Sequence, residues 1–205
     1  MTAGNDVITI ATRNSHKTRE IQNILGEEFT VRDLSEIENV PEIAETGATF
    51  EQNAILKAVG ISRFVGGLVL ADDSGLEVDA LGGAPGVYSA RYAGEKVTDT
   101  ENVRKLLGEL AKTEHETKSA SARFRCVIAI SRAGELLGTF TGSVEGTIVN
   151  APRGARGFGY DPVFVPNGFK QTFGELSAAT KDRISHRARA LAATIPFLRA
   201  ARRTS

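Results

Sequence analysis

Apolar positions along the chain fall into two rhythms. Short β-branched runs alternate with stretches where apolar residues recur every three or four positions. Val7-Ile8-Thr9-Ile10-Ala11 is the first run and predicts a buried strand. A helix should follow from about Ser15 to Leu25, with Ile21, Ile24 and Leu25 inward, and Phe29-Thr30-Val31 is a candidate second strand. Residues 34–46 are acidic, contain Pro41 and read as a loop. Thr49 followed by Gln52 has the capping-box pattern. Phe50, Ala54, Ala58, Ile61 and Val65 then repeat at helical spacing.

The next apolar run, Gly66 to Leu70, predicts a strand that ends at ADDSG, residues 71–75. Gly75 to Asp79 alternates and reads as a further strand, and Gly82-Gly83-Ala84-Pro85-Gly86 as a loop. A helix is predicted over 99–112 and a polar connection over 113–121. Ala122 to Ser131 is strand-like, with Phe124, Cys126, Ile128 and Ile130 on one face. A turn at Gly134-Glu135 and a strand within Leu136 to Val149 would complete a hairpin. After a glycine-rich loop over 153–162, the last 25 residues predict one helix, with Ile184, Ala188, Leu191, Ile195 and Leu198 at helical spacing. No repeat interrupts this mixture, which predicts an α/β fold with a mixed sheet flanked by helices.

Charge changes the picture by exclusion. Lys+Arg and Asp+Glu each number 25, and the balance argues against a general nucleic-acid binder. The single cysteine, Cys126, excludes an intrachain disulfide and agrees with a reducing compartment. The first residues lack the basic start and apolar core of a signal peptide. No apolar run approaches the ~20 residues that span a bilayer. The expectation is a cytoplasmic protein without membrane partners.

Five segments could carry chemistry. Residues 12–17, Thr12-Arg13-Asn14-Ser15-His16-Lys17, lie at a strand-to-helix junction, where free N–H groups and the helix dipole suit a phosphate. The simpler alternative is a helix cap by Asn14 or Ser15. Glu45 precedes the second helix, on which Asn53 and Lys57, four apart, share an edge. In ADDSG, Asp72 and Asp73 could serve a hard cation such as Mg²⁺, or the motif could be a plain turn. Two adjacent carboxylates demand a nearby cation: a lysine, a backbone dipole or a metal. In residues 156–164, Phe158 could stack on a base, whereas Tyr160 reads as an anchor for the loop. Lys181, His186 and Arg187 cluster near the predicted last helix, with Ser185 as its N-cap, as carbonyl readers or as a basic solvated face. Together these suit a Mg²⁺-dependent nucleotide-binding enzyme.

The segments ATRNSHK (11–17), ETGATFEQNAILKA (45–58), ADDSGLEVDALGGAPGVYSARYAG (71–94), GFGYDPVF (157–164) and SHRARAL (185–191) carry a more specific signal. In this order, over nearly the whole chain, they resemble the inosine/xanthosine triphosphate pyrophosphatase family. Arg13 departs from the glycine or serine common there. The resemblance implies a single domain over residues 1–205, made of two lobes with a central substrate cleft, and a homodimer. It implies Mg²⁺-dependent hydrolysis of ITP, dITP and XTP to the monophosphate and pyrophosphate, clearing deaminated purines.

It also implies roles. Asp73 would be the general base and a Mg²⁺ ligand, with Glu45 the second ligand. Asp72 would be a further ligand or an orienting group. Thr12 to Lys17 and Lys57 would surround the triphosphate, and Ser74 would donate to it. Phe158 would stack on the base within the Gly159, Tyr160 and Asp161 loop, and Lys181, His186 and Arg187 would read the C6 carbonyl. Tyr88 and Tyr92 are candidates for the dimer surface. Three rivals are a pyrimidine-nucleotide pyrophosphatase, a sensor without turnover, and a HAD-type phosphatase. The last lacks its Asp-x-Asp after the first strand, where Thr12-Arg13-Asn14 stands instead.

Overall fold

A computed structural model describes residues 7–113 and 120–202. The polar connection expected over 113–121 lies mostly outside them. Six strands form one mixed sheet: β1 (Val7–Ile10), β2 (Thr30–Asp33), β3 (Val69–Val78), β4 (Ala120–Arg132), β5 (Glu135–Ile148) and β6 (Phe164–Pro166). Their order is β2-β1-β3-β4-β5-β6. β1 pairs in parallel with both β2 and β3, and β6 runs antiparallel to β5. The helices are α1 (Ser15–Leu25), α2 (Phe50–Ile61), α3 (Asp99–Leu110), α4 (Ala178–Ile184) and α5 (His186–Arg202).

The chain divides into two compact units. One holds the residues up to Asp73, Cys126–Gly142 and the segment from Arg187 onward. Its core joins Ile8 and Ile10 of β1 to Ile21 and Leu25 of α1, Leu70, Ile128 and Ile130, and Leu191 and Leu198 of α5. β1 lies between two parallel neighbours and is buried over Ile8–Ile10, in keeping with its continuous apolar run. The other unit holds Ser74–Arg125 and Ser143–His186. Leu76, Val78, Leu106, Phe124, Val144, Phe164 and Phe173 centre its core.

Four expectations are corrected. β3 does not end at ADDSG but runs through it to Val78 as one strand. A strand sends successive side chains to opposite faces, so Asp72 and Asp73 part company and neither forces a turn. The C-terminal helix is two helices, because Ser185 is extended (ψ 162°) and breaks the ladder; it C-caps α4 through its N–H to the Lys181 carbonyl. The Thr49–Gln52 capping box is half-formed. Thr49 accepts from the Gln52 N–H, but the Gln52 side chain accepts from Ala48 instead of the cap residue. The hairpin forms, but its turn is Ala133-Gly134, one residue earlier than the expected Gly134-Glu135; Ala133 (φ 51°) and Gly134 (φ 85°) supply the paired positive φ of a type I′ turn, and Glu135 opens β5.

Candidate active site

In the first unit, the β1–α1 junction is a capped helix start. Asn14 Oδ1 accepts the N–H groups of His16 (3.0 Å) and Lys17 (3.3 Å), and Thr12 Oγ1 accepts that of Asn14 (3.1 Å). Asn14, Ser15 and His16 are exposed. Arg13 turns to the 34–46 loop, donating Nη2 to the Val40 carbonyl at 2.9 Å.

Lys17 reaches instead to Asp72, Nζ to Oδ1 at 2.5 Å. Asp72 is 2 % exposed and also receives Arg187 Nε (3.0 Å) and the Cys126 thiol (2.9 Å) on Oδ2. Burial alone would raise the Asp72 pKa, but the Arg187 and Lys17 charges overcome it and hold the carboxyl well below the usual carboxylate range. Arg187, 1 % exposed, also pairs with Glu20 on α1. The guanidinium is thus a buried clamp on Asp72 and Glu20. Burial and the adjacent Asp72 carboxylate push the Cys126 thiol well up, so it remains a protonated donor.

Asp73 faces α2. Lys57 Nζ donates to Asp73 Oδ1 (2.9 Å), Glu45 Oε1 (2.7 Å) and the Asp72 carbonyl (2.8 Å), three acceptors for three protons. Burial lowers the Lys57 pKa, yet the Asp73 and Glu45 charges outweigh it and raise the net value. Burial raises Asp73 above its ordinary value even against Lys57 and Lys17. A carboxylate raised this way is a better proton acceptor than a solvated one. Thus the cations beside the paired carboxylates are side chains: Lys17 and Arg187 for one, Lys57 for the other.

The residues present fit Mg²⁺. Asp73 Oδ2 is buried without a hydrogen-bond partner, and Glu45 keeps 29 % of its side chain exposed beside it on Lys57. Among the described residues no group of three or more His, Cys, Asp and Glu is arranged for a metal. Mg²⁺ needs only one or two carboxylates when waters and phosphate oxygens complete its shell.

In the second unit, Asp161 Oδ2 accepts from Lys181 Nζ at 2.5 Å and from the Phe158 N–H at 2.9 Å. Gly157 (φ 74°) permits this, since a Cβ there would lie 1.9 Å from that oxygen. Lys181 Nζ also stands 4.9 Å over the half-buried Phe158 ring. Gly159 donates its N–H to Asp99 at 2.6 Å. Tyr160 is 3 % exposed and its hydroxyl donates to the Ser89 carbonyl, which makes it the loop anchor the sequence suggested. His186 stacks on Phe124 at 4.7 Å. Ser74 is half-buried in β3. Lys181 sits on α4, and the adjacent His186 and Arg187 diverge by the ~100° between successive helical residues.

Sequence reasoning missed Glu20 and Cys126. Glu20 lies three residues after Lys17, on the same face of α1, so its signal was available. Cys126 meets Asp72 only through the pairing of strands and left no local trace.

The Ham1 family model matches residues 8–197. The dITP/XTP pyrophosphatase of Bacillus licheniformis is 54 % identical over 185 residues, spanning 90 % of this chain and 93 % of that protein. The enzyme of the same name from Bacillus subtilis is 50 % identical, spanning 89 % and 91 %. The structure of a HAM1 protein from Coxiella burnetii matches with a TM-score of 0.84 at 41 % identity, covering 95 % of this chain and 98 % of that one.

Proposed function

Because this chain belongs to the Ham1 family, we propose that it hydrolyses the non-standard purine nucleoside triphosphates dITP, ITP and XTP to the monophosphate and pyrophosphate, in the cytoplasm and as a homodimer. The observation that carries the reading is identity of 54 % across nine-tenths of the chain with a dITP/XTP pyrophosphatase. The side chains supply the chemistry such a reaction needs.

Pyrophosphate leaves, so the attacked atom is the α-phosphorus. Asp73 accepts the proton of the attacking water, and its raised pKa suits that task. Lys57 fixes the Asp73 carboxylate through Oδ1 and leaves Oδ2 without a partner. Glu45 and Asp73 would hold Mg²⁺, which when bound supplies charge neutralisation on the phosphates and lowers the pKa of a coordinated water. Asp72 holds Lys17 in place while Arg187 holds Asp72, so Asp72 orients the site. Lys17, the donors of Thr12 to Ser15 and the Ser74 hydroxyl attend to phosphate oxygens.

The second unit has the pieces for a purine ring: the Phe158 face, the Lys181 ammonium held by Asp161, and His186. A donor reads the C6 carbonyl of hypoxanthine or xanthine and repels nothing there. The adenine amino group would leave that donor unpaired, a mismatch that discriminates strongly.

The test is product analysis on dITP, ITP, XTP, GTP, ATP, dUTP and dTTP, with Mg²⁺ or chelator. Pyrophosphate with IMP, dIMP or XMP is expected, only with Mg²⁺ and fastest for the deaminated purines. Asp73→Asn should lower turnover by about 10²–10⁴-fold with the fold retained. Orthophosphate as the product would move attack to the γ-phosphorus and defeat the reading.

A further inference from the structure

The segment that carries Glu45 has no regular secondary structure, yet its burial alternates. Ile43, Glu45 and Gly47 are half-buried, whereas Glu42, Ala44, Thr46 and Ala48 are exposed. The three inward residues each meet one residue of a single stripe of α2. Ile43 lies against Gly60, where a Cβ would stand 2.8 Å from Ile43 Cδ1. Glu45 meets Lys57 at 2.7 Å. The Gly47 N–H donates to Asn53 Oδ1 at 2.8 Å. Asn53, Lys57 and Gly60 are spaced i, i+4 and i+7, which is one helix face. Alternate residues of the segment thus descend the helix in register, in the opposite direction.

Each outer contact is sterically specified. At Gly47 a Cβ would fall 2.7 Å from Asn53 Oδ1 and 2.6 Å from Gln52 Cβ. Asn53 is 0 % exposed and its Nδ2 has no hydrogen-bond partner. Burying an unsatisfied amide donor costs stability, which points to a task for the other end of this side chain. That end holds Gly47.

We propose that the Asn53–Lys57–Gly60 stripe of α2 is a positioning track for the 43–47 segment. Asn53 and Gly60 act as positioning residues that set the Glu45 carboxylate against Asp73. This rests on the reading of Glu45 as a metal ligand. A carboxylate on an irregular segment has no rigid element of its own, and the track ties it to the helix that carries Lys57. Loss of such an outer partner weakens metal affinity by about 10–100-fold in other metal sites.

The test compares wild type, Asn53→Ala, the charge-neutral pair Gly60→Ala and Ile43→Val/Gly60→Ala, and Glu45→Gln. Two quantities are read: hydrogen exchange at the Gly47 amide in the metal-free protein, and the Mg²⁺ concentration for half-maximal dITP turnover. Asn53→Ala should speed Gly47 exchange at least about tenfold and raise the Mg²⁺ midpoint by about 10–100-fold, with kcat largely recovered at saturating Mg²⁺. Gly60→Ala should raise the midpoint, and Ile43→Val should restore it in part by removing Cδ1, the atom nearest the new Cβ. Unchanged Gly47 exchange in folded Asn53→Ala overturns the track. So does an unchanged Mg²⁺ midpoint in that variant when Glu45→Gln moves it. A wild-type midpoint in Glu45→Gln, with Gly47 exchange still dependent on Asn53, would instead overturn the metal role of Glu45.

Discussion

At the scale of residues, the adjacent aspartates illustrate how a strand makes two environments from one dipeptide. Asp72 is held ionised by Arg187 and Lys17, whereas Asp73 is shifted upward by burial. Their titrations therefore push stability in opposite directions. For Asp72 the folded pKa lies below the unfolded 3.8, so the unfolded chain binds more protons in that window. Its contribution is complete above the unfolded value and is lost as pH falls toward the folded one. For Asp73 the folded pKa lies above 3.8, so its contribution declines as pH rises through that range. Thermal unfolding of the metal-free protein across pH 2–6 should show a steep acid limb below about pH 4. Asp72→Asn should flatten that limb. Coincident profiles for the two proteins would place the acid sensitivity elsewhere.

At the scale of elements, strand packing depends on a missing side chain at Gly146 of β5. A Cβ there would stand 2.3 Å from the Val165 carbonyl and 2.6 Å from the Phe164 ring, both on β6. Phe164 is fully buried in an aromatic group with Phe124 (4.8 Å, edge-on) and Phe173 (5.3 Å). Backbone cannot rotate away as a side-chain tip can. Gly146→Ala should therefore cost about 1–3 kcal/mol and lower the melting temperature by roughly 2–12 °C. An unchanged melting temperature would mean that β6 yields freely. The same group explains why His186 and Lys181 are well fixed, since His186 stacks on Phe124 and Lys181 lies 5.7 Å over Phe173.

At the scale of the whole molecule, each unit has its own core and its own group of chemical side chains. Among the described residues no helix is long and apolar enough to cross a membrane. Tyr88 is 60 % exposed with Arg91 over its ring at 5.4 Å, while Tyr92 packs on the second core. Of the two tyrosines, Tyr88 is thus the one available to a second copy. Sedimentation velocity should give twice the chain mass for the wild type, and Tyr88→Asp should shift it to the single-chain mass. A wild type at single-chain mass would sink the homodimer; a dimeric Tyr88→Asp would put the surface elsewhere.

Local pattern alone determined the elements whose signal is periodic. The α1 bounds, the helix after Thr49, the β4–β5 hairpin and the α/β class all follow from spacing, because propensity and periodicity act within a few residues. The motif residues were legible as types for the same reason. Tertiary structure decided what those residues do. The two aspartates of ADDSG pair with cations from α1, α2 and α5, which lie 16 to 115 positions away in sequence. Arg187 and His186 are neighbours in the chain, yet one clamps Asp72 and the other stacks on Phe124. Glu45 owes its place to a helix stripe that pairs with alternate residues of its segment. Charge pairing and close packing depend on separation in space, and separation along the chain carries no record of it until the fold closes.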